Sequence, residues 1–207
     1  DSQHAIVACM QAGFEHHGLD APEPEAIRRT VGLSLLEGIG RLAPDHPVQT
    51  HERLVDGYKH SFRQLKAQPD HHEALYPGME NVISHLDENG YLLGVATGKS
   101  QAGLHDTLDL HGLRPKFMTM QTADINPGKP HPGMIESALR ETGADIENTV
   151  MIGDTTFDME MAVNAGALAI GVSWGYHGVE ELIEAGAKIV VDHSEELLHQ
   201  VTNLLGD

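Results

Sequence analysis

Asp154 and Asp158 stand four residues apart in the stretch Val150-Met151-Ile152-Gly153-Asp154-Thr155-Thr156-Phe157-Asp158-Met159-Glu160-Met161-Ala162. Apolar and small residues run into Gly153-Asp154. After two threonines, Met159, Ala162 and Val163 take helical spacing, so the stretch reads as strand, turn, helix. Two carboxylates at such a junction can present oxygens to a hard cation such as Mg²⁺. The same spacing fits a cap, in which the Thr155 hydroxyl and the Asp158 carboxylate satisfy backbone N–H groups at the helix start. This stretch alone leaves both roles open.

Two further stretches carry candidate chemistry. In Gly94-Val95-Ala96-Thr97-Gly98-Lys99-Ser100 a strand runs into Thr-Gly. The nucleotide P-loop pattern is not met, because Leu93 occupies the position where its first glycine is required. Thr97 and the backbone N–H groups from Gly98 onward could instead hold a phosphate oxygen at a helix start, or form a plain turn and cap. In Asn126-Pro127-Gly128-Lys129-Pro130-His131-Pro132 three prolines restrain the backbone around Lys129. A cation held in that way can neutralise charge on a transferring phosphoryl group. His131 reads as a rim or structural residue. Gly38-x-Gly40-x-x-Ala43 imitates a dinucleotide fingerprint but follows no strand, and it is rejected.

The elements that must position these residues fall into two groups. Helical spacing runs from Ser2 to Gly18, from Pro24 to Gly32, from Leu33 to Leu42, and from Val48 to about Leu65, with Pro69 as a stop. Four helices without a strand predict a small bundle. After His71-His72, helix and strand alternate. Strands are expected at 91–96, 117–121, 149–153, 167–172 and 188–191, and helices over Met79–Leu86, Leu104–Leu110, Pro132–Glu141, from Asp158, at Val179–Glu184 and at Leu197–Leu205. Alternation predicts an α/β unit with a parallel sheet covered on both faces. Thr97, Lys129 and the Asp154/Asp158 pair each follow a predicted strand, which gathers them in one crevice.

Composition narrows the partners. With 13 basic and 31 acidic side chains the formal charge is −18, which disfavours a nucleic-acid backbone or an anionic membrane surface. The hydrophobic share of 40% is ordinary, and no apolar run reaches membrane-spanning length. Cys9 is the only cysteine, so an intrachain disulfide is excluded, and a reducing, cytoplasmic setting is expected. The 15 histidines lack zinc-ligand spacing and read as surface residues. The chain starts at Asp1 rather than methionine, which leads us to expect an upstream segment.

Taken in order, these motifs resemble the haloacid dehalogenase-like hydrolase superfamily, close to its phosphoglycolate phosphatase and pyrophosphatase-like members. The resemblance extends through Asn164-Ala165-Gly166 and Gly171-Val172-Ser173-Trp174-Gly175-Tyr176 and covers essentially the whole chain. It implies a Rossmann-like α/β core, residues 1–2 and 73–207, with an inserted helical cap, residues 3–72. It further implies a Mg²⁺-dependent phosphatase acting on a small phosphorylated metabolite through an aspartyl-phosphate. In that scheme Thr97 and Gly98 bind the phosphoryl group and Lys129 stabilises its charge. Asp154 holds Mg²⁺, while Asp158 assists as a second acidic ligand or by orienting Lys129. Arg29, or its neighbour Arg28, is the candidate substrate-reading cation, against a plain solvated helix face.

One departure matters. The superfamily's first motif, a strand ending in Asp-x-Asp-Gly-Thr-Leu, is absent, and Asp1-Ser2 resembles its tail. The first core strand and the nucleophile are therefore expected to be missing from these 207 residues, leaving them inactive by themselves. An incomplete sheet favours association with another strand, and the oligomeric state stays open. The alternatives are a non-catalytic phosphate-binding or interaction protein, or a phosphomutase or dehalogenase of the same superfamily.

Overall fold

The computed structural model describes residues 3–68 and 73–206, so the expectations on Asp1-Ser2, Pro69 and His71-His72 lie outside the described residues. The chain divides into two compact units, Asp1–Leu75 and Tyr76–Asp207.

The described part of the first unit is all helical: α1 (Gln3–His16), α2 (Pro24–Arg28), α3 (Leu35–Leu42) and α4 (Val48–Lys66). Met10, Phe14, Ile27, Ile39, Ala43 and Leu54 form its buried cluster, following the three- and four-residue spacing of the sequence. Helix α2 ends four residues before the expected Gly32. The Thr30 hydroxyl donates to the Ile27 carbonyl at 2.8 Å, and the chain turns there before Ser34 caps α3. Cys9 is buried, and burial pushes its thiol up to about 11, so it is an inert filler.

The second unit alternates helix and strand: α5 (Met79–Glu88), β1 (Gly94–Thr97), α6 (Gln101–Leu110), β2 (Thr119–Thr122), α7 (Gly133–Thr142), β3 (Val150–Gly153), α8 (Thr156–Ala165), β4 (Leu168–Val172), α9 (Val179–Glu184), β5 (Ile189–Val191) and α10 (Ser194–Leu205). Every strand pairing is parallel. Gly94 lies opposite Thr119 and Thr97 opposite Thr122, while Gly153 aligns with Gly171 and Ile170 with Ile189. The first strand was expected from Tyr91 but begins at Gly94. The Met118 N–H still reaches the Leu93 carbonyl at 2.8 Å, but the paired register with β2 starts at Gly94 opposite Thr119, and a strand extends only as far as its ladder.

Hydrogen bonding separates the strands into a pair, β1-β2, and a triple, β3-β4-β5. Helices cover both faces. Met134 and Ile135 of α7 and Met159, Met161 and Ala162 of α8 bury one side, with Ala96 and Met151 packed against them. Val82 and Leu86 of α5 and Leu197 and Val201 of α10 bury the other, with Leu93, Val150 and Ile152 packed there. The same two helical layers therefore serve both groups of strands. Among the described residues β1 pairs only with β2 and β3 only with β4, so each keeps an open edge. No residue of β1 or β3 is fully buried, whereas four of the five residues of β4 are. An edge of this kind is a template for one more strand. No described helix is long and apolar enough to cross a membrane.

Candidate active site

Lys129 and Asp158 are brought together from 29 residues apart. Both are buried, at 6% and 3% exposure, and Nζ lies 2.5 Å from Oδ1. The second oxygen of Asp158 is also engaged, accepting the Thr155 N–H at 3.1 Å and the Thr155 hydroxyl at 2.7 Å. The Asp158 N–H in turn donates to the Thr155 hydroxyl oxygen, which completes a capping box at the start of α8. Gly153 permits this approach, because a Cβ there would lie 2.3 Å from that of Asp158. Both oxygens of Asp158 are thus committed to orienting and pairing Lys129 and to the cap. This geometry is compatible with the expected orientation of Lys129 by Asp158.

Asp154 sits at the end of β3 with a different environment. A cavity of about 180 Å³ opens beside it, walled by Met79, Ile152, Val172, Trp174 and Leu197. Desolvation by these surroundings, and then the negative charge of Asp158, raise its carboxyl from 3.8 to about 6, with Lys129 and the Tyr176 backbone opposing. The loop after β4 wraps the residue. The His177 N–H donates to the Asp154 carbonyl at 3.1 Å, and Gly175 lies so close that a Cβ would fall 2.2 Å from Asp154 Oδ2. A carboxylate whose charge is poorly compensated, while the nearest lysine is committed elsewhere, suits a divalent cation. Among the described residues no group of three or more His, Cys, Asp or Glu side chains is placed to hold a metal ion.

A raised carboxyl pKa has a definite sign in stability. The native state holds the proton more tightly than the unfolded chain, so this contribution is complete below about pH 4. It is lost as pH rises through about 6, to an extent on the order of 3 kcal/mol for a shift of this size. In chelator, the denaturation midpoint of the parent should fall relative to that of Asp154→Asn across this window. Parallel pH profiles for the two proteins would contradict the assignment.

Thr97 ends β1, where its hydroxyl oxygen accepts the Lys99 N–H at 3.2 Å and keeps its own proton to donate. Its carbonyl accepts the Ala123 N–H at 3.1 Å, tying it to the end of β2, and Gly98 follows in the turn before α6. Among the described residues Thr97 makes no hydrogen bond to Lys129, Asp154 or Asp158. Asn164 holds the lysine loop by donating to the Pro130 carbonyl at 3.0 Å. His131 is structural, its Nδ1 accepting the Gly133 N–H at the start of α7. Arg29 belongs to the first unit, where it lies 3.6 Å from Glu25, as Arg28 lies 4.0 Å from the same carboxylate.

Three further residues pack around this site, and two of them, His177 and Asp124, escape a reading of the sequence. Buried His177 accepts the Thr156 N–H on Nδ1 at 3.0 Å, joining two loops 21 residues apart. Gly175 makes room for Asp154, and Asp124 accepts the Gln101 N–H at 3.0 Å. No local pattern announces such partners, although the glycine in Trp174-Gly175-Tyr176 was a visible signal.

Helix-covered parallel strands with charged residues gathered past their carboxyl ends define a Rossmann-like α/β protein. Within that class the chain belongs to the haloacid dehalogenase-like hydrolase family, whose sequence profile matches residues 1–172. It is 34% identical to the probable phosphatase IndB of Dickeya dadantii, over 99% of this chain and 90% of that protein. It is 26% identical to a phosphoglycolate phosphatase of Vibrio parahaemolyticus, over 97% of this chain and 90% of that one. A hydrolase from Pseudomonas syringae shares its fold at a TM-score of 0.83 and 24% identity, covering 98% of this chain and 92% of the other.

Proposed function

We propose that the protein is a Mg²⁺-dependent phosphatase that hydrolyses a small phosphorylated, phosphoglycolate-like metabolite in the cytoplasm. The observation that carries this reading is the buried Lys129–Asp158 pair, 2.5 Å apart, beside the poorly compensated Asp154 carboxylate. A fixed cation past a strand end serves a dianionic phosphate monoester, and the phosphatases among the relatives support the same chemistry.

In this reading Thr97 donates its hydroxyl, and Gly98 its backbone N–H, to phosphoryl oxygens. Lys129, aimed by Asp158, offsets charge on the transferring group, and Asp154 holds the metal. Mg²⁺, when bound, shields phosphoryl charge and leaves the phosphorus open to attack. The phosphoryl group passes to an aspartate carboxylate as its bond to the leaving oxygen breaks, and water then releases phosphate. The 207 residues contain no Asp-x-Asp-Gly-Thr-Leu run, so none of their aspartates is assigned as that nucleophile. The open edges of β1 and β3 suit the strand that would carry it. Residues 3–72 act as the cap, with Arg29 the proposed substrate-reading cation.

The test compares two proteins on p-nitrophenyl phosphate: the 207-residue chain, and the chain extended at its N-terminus by a strand bearing the first motif. The extended protein should release phosphate with Mg²⁺ and lose that activity in chelator, while the 207-residue chain stays silent. An extended protein that binds phosphate without turnover would favour a binding role instead.

A further inference from the structure

We infer that Asp124 is a positioning residue for the phosphate-holding turn after β1, and that the short segment from Thr122 to Asn126 sets that turn against the lysine loop. This rests on the phosphatase reading of Thr97 and Lys129. Asp124 lies just past β2 and is exposed, yet both of its oxygens are engaged. Oδ2 accepts the N–H of Gln101, the first residue of α6, and Oδ1 accepts the hydroxyl of Thr122, which is wholly buried.

The consequences follow from what each bond holds. The Gln101 N–H is among the helix-start donors that have no partner within the helix, and Ser100 satisfies only the Gly103 N–H. Asp124 therefore fixes the far end of the turn Thr97-Gly98-Lys99-Ser100, while the Ala123 N–H fixes its near end through the Thr97 carbonyl. Two residues later Asn126 does the corresponding work for the other loop. Its amide donates to Gln121 Oε1 at 2.9 Å and accepts from the Ser137 hydroxyl at 2.8 Å, anchoring the start of the segment that carries Lys129. Gln121 is 2% exposed and is held in turn by Thr119 and Glu141, so the anchor is rooted in the core. One rigid strand end thus governs the separation of a hydroxyl donor and a cation. Sub-ångström placement of such groups decides how tightly a phosphate is held.

The experiment titrates inorganic phosphate, with Mg²⁺ present, into the 207-residue chain by calorimetry, alongside thermal unfolding of each variant. Asp124→Ala should weaken phosphate binding by about tenfold, the scale of a lost charge-assisted hydrogen bond. Asp124→Asn should restore it to within about threefold, because the amide oxygen can face Gln101 while the amide N–H₂ faces the Thr122 hydroxyl. Thr97→Val reports on the underlying reading. If it weakens phosphate binding while Asp124→Ala does not, or if Asp124→Asn binds as poorly as the alanine variant, the inference is overturned alone. If the parent chain binds no phosphate, or Thr97→Val binds as the parent does, the functional reading falls and the inference with it.

Discussion

Lys129→Ala is expected to abolish phosphate binding and to destabilise the fold by about 3–5 kcal/mol, the usual cost of leaving one member of a buried ion pair without its partner. The orphaned group would be Asp158, 3% exposed and locked into the α8 cap, so it cannot swing out to water without dismantling that cap. A second variant separates the two effects. Lys129→Met combined with Asp158→Asn removes both charges, retains most of the lysine stem, and keeps an acceptor for the Thr155 N–H. Its denaturation midpoint should return most of the way to that of the parent, since paired buried charges contribute little net stability. Its phosphate affinity should not return, because the cation is gone. Recovery of phosphate binding in the double variant would show that Lys129 acts only as a structural partner.

Gly175→Ala is the second large effect, and it acts on Asp154. An added Cβ would fall 2.1 Å from the Asp154 Cβ and 2.2 Å from Oδ2, a collision with the root of a side chain rather than its flexible tip. Either the loop after β4 or the carboxylate must move. We expect divalent-metal affinity to drop by about 10–100-fold, as it does when groups that orient a ligand are displaced. Trp174 is the only tryptophan and lines the cavity beside Asp154, so Mn²⁺ quenching of its fluorescence reads occupancy directly. Gly40→Ala, inside α3 and no closer than 3.6 Å to another residue, is the control. It should bind metal as the parent does and gain up to about 1 kcal/mol of stability from the better helix former. Unaltered Mn²⁺ binding by Gly175→Ala would remove Asp154 from the metal site.

The order and type of the elements were legible because they are local properties. A 3.6-residue spacing of Met10 with Phe14, or of Leu197 with Val201, states a buried helix face without reference to anything distant. The parallel sheet followed from alternation of helix and strand. Where the reading strayed, a long-range partner was responsible. Tyr91 to Leu93 looked like strand, but the paired register with β2 starts at Gly94 and only the Met118 N–H reaches back to the Leu93 carbonyl, and α2 stopped early where the Thr30 hydroxyl turns onto Ile27.

Residue types and spacing thus established that this chain is an α/β protein with a helical unit ahead of it, and they singled out Thr97, Lys129, Asp154 and Asp158 as candidates for its chemistry. They left the two aspartates equivalent, since four-residue spacing suits a metal pair and a cap alike. Folding removed that equivalence. Lys129 arrives from 29 residues away to take one oxygen of Asp158, Thr155 takes the other, and Asp154 is left against an apolar wall with Gly175 beneath it. Charge compensation and desolvation depend on what is within a few ångströms in space, and only the packed chain decides that.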